Sequence, residues 1–247
     1  MKTSKLCALA ATVVTVGGIS AASASTGGPA PTTKPTSRQA VVDPGDFDHP
    51  VPNRYFPLHP GTVSRYRGTE DGARYRERVV VTHRTRSVQG VTTTVVRDVL
   101  RRADGSLAER TRDWYAPDDA GNVWYFGEAT ATYDRHGHLE SREGSWQAGV
   151  RGAEAGTIMP ADPRPTDAYR QEFRRDHAED QAWIVQRNAV TTVPYGRLDR
   201  LVRSFEWSRL ESGVVSLKLY APGLGIVREK DMSGGTESFV LVSVRHR

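Results

Sequence analysis

Carboxylates next to large aromatic rings are the residues of this chain whose placement most invites chemistry. Asp113 immediately precedes Trp114, Glu128 follows Phe126-Gly127, and Glu143 stands three residues before Trp146. Trp124 lies in the run Val123-Trp124-Tyr125-Phe126, and Glu172, Glu179 and Asp180 fall within residues 169–183. A carboxyl packed on rings loses hydration, which raises its pKa unless a cation compensates. Two such groups in one cleft could act as general acid and base on a glycan, with tryptophans stacking on the sugar. They could instead gather around a hard cation such as calcium, the one cofactor this set would take. The plainest alternative is pairing with the abundant arginines, such as Arg112, Arg142, Arg170 and Arg174. Asp113, Trp114, Trp124, Glu128, Glu143, Trp146 and Glu172 are therefore the candidate ligand-binding residues, with no catalytic role assigned to any of them.

Other patterns carry less. Asp118-Asp119-Ala120-Gly121-Asn122 lacks the alternating ligands and terminal glutamate of a calcium loop and reads as a tight turn. Asp134, His136 and His138 alternate like transition-metal ligands but surround Gly137, as at a hairpin tip. Gly144-Ser145-Trp146 is not a nucleophile elbow, and Gly223-Leu224-Gly225 lacks the third glycine and following helix of a dinucleotide site.

The elements that must hold these residues are strands. Residues 75–85 and 91–101 are β-branched and arginine-rich, with Gln89-Gly90 as the turn between them. Turn signals at 103–106, 117–122 and 134–138 separate further strands, and strand patterns return from 169 to the C-terminus. Leu198, Leu201, Val202 and Phe205 share helical spacing, but the surrounding pattern favours a strand over residues 198–207. Residues 149–166, punctuated by Gly and Pro, read as a long ordered loop. Turns every 8–15 residues predict an all-β fold: a curved antiparallel sheet or partly open β-barrel, in one domain.

Several phrases carry a resemblance: Tyr55-Phe56-Pro57-Leu58 with Pro60-Gly61-Thr62 and Tyr66; Asp113-Trp114-Tyr115-Ala116; Gly121-Asn122-Val123-Trp124-Tyr125-Phe126-Gly127-Glu128; Glu143-Gly144-Ser145-Trp146; Met159-Pro160-Ala161; Tyr169-Arg170-Gln171-Glu172; and Tyr220-Ala221-Pro222-Gly223 before Gly225. Over residues 55–244 the chain resembles an uncharacterised group of exported bacterial β-rich proteins. The resemblance implies secretion and a β-rich fold, and supplies no activity or catalytic residues. Ser64 and Leu219 depart from the group's pattern, each replacing an aromatic residue.

The N-terminus reads as a targeting segment. Lys2 and Lys5 precede the apolar stretch 6–19, and Ala22-Ser23-Ala24 offers small residues for cleavage, so residues 1–24 are a signal peptide. The stretch is shorter than the ~20 residues a membrane span requires, so no transmembrane anchor is expected in the mature chain. Residues 25–54, rich in Pro, Thr and Ser, are expected to be a flexible tether, and 55–247 the extracellular domain. Cys7 is the only cysteine and lies in the signal peptide, which leaves no disulfide or thiolate site after cleavage. The formal charge of +5 rests mainly on arginines that alternate with acids along the sequence, as in Arg74-Tyr75-Arg76-Glu77-Arg78. No basic stripe with stacking aromatics stands out, and nucleic acid is not an expected partner. The expectation is a secreted or cell-wall-associated, non-enzymatic domain that binds a small molecule, glycan, lipid or envelope protein. The alternatives are a carbohydrate-active hydrolase using paired carboxylates and a calcium-binding domain.

Overall fold

Between Thr62 and Arg102 the chain runs as three long strands, β1 (Thr62–Glu70), β2 (Ala73–Val88) and β3 (Val91–Arg102). Two-residue turns join them at Asp71-Gly72 and Gln89-Gly90. All four turn residues have positive φ (46°, 74°, 50° and 83°). That combination marks the hairpin turn whose twist matches the strands it joins. The meander continues through β4 (Leu107–Pro117), β5 (Val123–Tyr133), β6 (Leu139–Ser141), β7 (Trp146–Gln147), β8 (Glu154–Met159), β9 (Ala168–Arg170) and β10 (Glu172–Phe173). It ends with β11 (Asp180–Val193), β12 (Gly196–Ser208), β13 (Val215–Ala221), β14 (Gly225–Ser233) and β15 (Ser238–His246). The structure is a computed structural model that describes residues 42–246. The expected signal peptide with Cys7, and the tether as far as residue 41, lie outside the described residues.

The strands form one antiparallel sheet in the order β10-β8-β5-β4-β3-β2-β1-β15-β14-β13-β12-β11-β9, with β6 and β7 paired to β5 off this path. Its two ends, β10 and β9, are neighbours in sequence. Residues 168–173 therefore bridge β11 to β8, and the Gln171 amide donates to the Asp180 carbonyl between them. The result is the expected all-β fold in a single domain, a sheet nearly closed into a barrel. Closure leaves few unpaired strand edges.

Residues 198–207 are strand, as preferred, within β12. The stretch 149–166 differs from expectation, because β8 lies inside it. Gly156 reads as loop punctuation but stands in β8 where the closing segment comes closest: a Cβ there would sit 2.5 Å from the Arg170 carbonyl oxygen. A glycine permitting such backbone approach belongs in a strand.

A strap precedes the barrel. Asp43 caps a short 3-10 helix (Pro44–Phe47), and Phe47 packs edge-on against Trp124 and Phe126. The Asn53 amide donates to the carbonyls of Gly121 and Pro160, while its oxygen accepts from the amides of Tyr55 and Phe56. Tyr55 and Phe56 are buried, and Phe56 meets the Tyr115 ring edge-on. Residues 42–54, though proline-punctuated, are thus bound to the barrel wall.

Candidate functional site

The structure divides the predicted acidic-aromatic set. Asp113 on β4 lies directly opposite Glu128 on β5, and both side chains are buried inside the barrel. The Tyr125 hydroxyl donates to Asp113 Oδ1 at 2.9 Å. Tyr125 stacks on Tyr115 (4.7 Å between ring centres) and meets Trp146 edge-on at 5.2 Å. Glu172, brought in by β10, is also buried. Asp113, Glu128, Trp146 and Glu172 therefore meet inside the wall. The other three do not join them. Trp114 lies on the opposite side of β4 with the Arg86 guanidinium 4.0 Å above its ring. Trp124 faces the strap and donates its indole N–H to Asp118 Oδ2. Glu143 is exposed on the turn between β6 and β7.

Burial governs the titration of the interior carboxyls. It pushes Asp113 and Glu109 up to about 8, with Asp98 adding like charge to each. Glu128 is raised well above the usual carboxylate range by burial and then by Asp113 and Glu172. For Glu172 burial is again first, Asp180 second, and the nearby Trp146 indole offsets only part of the rise. Glu77 is raised by burial and by Asp98 beside it. Burial and like charge thus disfavour the ionised form of each of these groups, and the neutral form is the one that packs together.

A second interior cluster was missed by sequence reasoning. Lys218 on β13 lies 3.0 Å from Glu206 Oε2 on β12 and 3.3 Å from Glu229 Oε1 on β14. Ser204 and Tyr220 each donate to Glu206 Oε1 at 2.7 Å, and Gln171 reaches it from the closing segment. Burial alone would raise Glu206; Lys218 and these hydrogen bonds carry it below its ordinary value. The available signal was a lysine inside an otherwise apolar run, Leu217-Lys218-Leu219-Tyr220.

This interior is enclosed: Asp113, Glu128, Trp146 and Glu172 are all buried. Glu143 shares no cleft with Glu128 or Glu172, so the pairs expected of a hydrolase that include it are not assembled. Arginine pairing occurs elsewhere: Arg170 with Glu154, Arg187 and Arg164 with Asp162, and Arg209 with Glu179. Among the described residues no group of three His, Cys, Asp or Glu is arranged to hold a metal. Asp118 accepts from Ala120 N, Asn122 N, Asn122 Nδ2 and Trp124 Nε1, which accounts for its turn without an ion. Asp134 binds the amides of His136 and His138 at an exposed hairpin tip.

The outside of the barrel is where the charge is. Every carboxylate of β1–β4 (Glu70, Glu77, Asp98, Glu109 and Asp113) is buried, none more than 8% exposed. Eight of the twelve arginines of the same strands alternate with them and face outward: Arg65 and Arg67 on β1, Arg76 and Arg78 on β2, Arg97 and Arg101 on β3, Arg110 and Arg112 on β4; Arg102 is instead bound to the carbonyls of Leu107 and Tyr133. Along the sequence the alternation of arginines with acids shows no basic stripe. On a strand, period two sends successive residues to opposite faces, so here it separates the charges. Arg65 is paired in register with Arg78, Arg67 with Arg76, Arg76 with Arg101, and Arg97 with Arg112. The face is concave: a cavity of about 610 Å³, lined by seven of these arginines with Val99, Leu107 and Val242, adjoins one of about 520 Å³ that shares Arg67 and Arg76. Tyr66 and Glu77 at the same place have buried side chains.

The chain is thus an all-β protein, a nearly closed antiparallel barrel with an acidic interior and a basic outer groove. No protein-family model and no curated protein matches it. Among solved structures it is similar to a protein assigned as exported, with a YmcC-like fold, from Bacteroides fragilis: 13% identity over 78% of this chain and 99% of that one, TM-score 0.46. It is also similar to a protein assigned as a lipoprotein from Parabacteroides distasonis: 12% identity over 79% of this chain and 100% of that one, TM-score 0.43. Likeness of this degree carries nothing about function. Among the described residues no helix is long and apolar enough to cross a membrane.

Proposed function

We propose that this protein is an exported, non-enzymatic binding domain that holds an anionic cell-envelope partner on the outer face of β1–β4. Export rests on the signal-peptide pattern of residues 1–24. The observation that carries the binding role is the sorting of charge: on four adjacent strands all five carboxylates turn inward and eight arginines turn outward. Arg65, Arg67, Arg76, Arg97 and Arg112 take no part in the ion pairs formed by Arg164, Arg170, Arg187, Arg200 and Arg209. Guanidinium groups held in a fork and left to solvent suit oxyanions, which they bind bidentately. The acidic-aromatic set, enclosed in the barrel wall, supports the scaffold.

The test is binding of the exported chain (residues 25–247) to dextran sulfate at increasing salt. We expect affinity that falls linearly on a log–log plot as counterions are recaptured. Absence of binding to this polymer, and to anionic vesicles, at low ionic strength would overturn the proposal.

A further inference from the structure

Resting on that reading, we infer that the arginine groove takes a linear, base-free polyanion whose oxyanions are closely spaced along the chain, rather than a bilayer or a nucleic acid. The lattice sets the spacing. Arg67, Arg76 and Arg101 form a row across β1, β2 and β3. Adjacent strands lie about 4.8 Å apart and alternate residues about 6.8 Å apart, so the row offers a guanidinium at roughly each such step. A flexible polymer that presents an oxyanion at least that often can follow the row and meet each guanidinium.

Shape separates this ligand from a membrane. The arginines line a depression together with Val99, Leu107 and Val242, and a single chain lying in it reaches more of them than a flat headgroup layer does. Chemistry separates it from nucleic acid. The outward residues of β1–β3 at this groove are arginine, threonine and valine, and the one part-exposed ring beside it, Tyr75, stands alone, whereas a single strand needs successive rings for its successive bases.

The row is also held against its own repulsion. Like charges directly opposite on a sheet destabilise it, and here three arginines stand in consecutive register. A purely structural surface gains nothing from such a row. Neutralising its centre should therefore stabilise the fold while weakening the ligand, a combination that a structural arginine does not give.

The experiment titrates the exported chain with long-chain polyphosphate, hyaluronan (one carboxylate per disaccharide), single-stranded DNA and phosphatidylglycerol vesicles at matched anion concentration. Polyphosphate should bind tightest. Arg67→Gln with Arg76→Gln should weaken it roughly tenfold or more and lower the salt slope by roughly one to two. The double lysine variant, which keeps charge and loses the fork, should fall between the two. Arg76→Gln alone should raise Tm by about 1–3 °C. Tighter binding of vesicles, DNA or hyaluronan than of polyphosphate overturns this inference and leaves the anion-binding proposal standing. Failure of all four ligands at low salt removes this inference, and failure of dextran sulfate as well removes both. Wild-type affinity in the double glutamine variant, or a lowered Tm in Arg76→Gln, refutes the placement on this row.

Discussion

At the scale of single residues, the interior carboxyls fall into two kinds that respond oppositely to substitution. Asp113 is held as a neutral acid whose Oδ1 accepts from Tyr125. An amide keeps that acceptor and the shape, so Asp113→Asn should cost less than about 1 kcal/mol at pH 6. At pH 9 it should melt above the wild type, because the wild-type carboxyl must then ionise inside the barrel; thermal melts at the two pH values check this. Glu206 is an ion, held by Lys218 and three hydrogen bonds from neighbouring side chains. Lys218→Met leaves that ion uncompensated and should cost about 3–5 kcal/mol in urea unfolding. Asp113 and Glu128 were legible as unusual because rings flank them in the sequence. That they face one another was not, since it depends on the β4/β5 register. Glu143 looked equivalent in sequence and is exposed, because the chain turns between β6 and β7 before Trp146 enters the wall.

Strands and their edges account for what else the sequence disclosed or withheld. Paired turn residues of positive φ, Asp71-Gly72 and Gln89-Gly90, are local signals, and the 89–90 hairpin was readable from them. The charge pattern of β2 was equally local, but its meaning depends on faces: Arg76 and Glu77 are neighbours in sequence and lie on opposite sides of the sheet. β8 was hidden because its defining feature is a distant partner. Gly156 permits the backbone of residues 170–171 to come close, and nothing nearby in sequence reports that. Gly156→Ala would drive a Cβ to 2.5 Å from the Arg170 carbonyl oxygen and 2.6 Å from the Gln171 carbonyl. Backbone must shift to relieve it, at a cost of about 1–3 kcal/mol. The loss should centre on barrel closure, so amide exchange in residues 168–173 should accelerate more than in β1–β3.

Across the whole molecule, sorting acids inward and arginines outward changes how many protons the folded protein binds. Glu109 and Asp113 titrate near 8, and Asp180 and Glu229 near 7, raised chiefly by burial; Asp180 is part-exposed at its surface yet densely enclosed by neighbours. In the unfolded chain the same groups ionise near 4. Where the folded state binds more protons, stability falls as pH rises. The contribution of these acids is fully present below about pH 4 and is lost progressively up to about pH 8. Glu206, lowered by Lys218 and its hydrogen bonds, acts in the opposite sense and withdraws stability only in more acid solution. The optimum should therefore lie on the acid side of neutrality, with Tm falling by roughly 5 °C or more between pH 5 and pH 9. The same protons enlarge the charge of the outer face. With acids neutral inside, the folded protein is more cationic at pH 7 than a count of its charged residues gives, so the groove attracts anions beyond what composition implies. Unfolding at pH 7 should then release about two or more protons per molecule. Calorimetric unfolding in buffers of different ionisation enthalpy measures that number directly. A count near zero would mean that the interior acids are ionised in the fold and that the outer arginines are balanced from within.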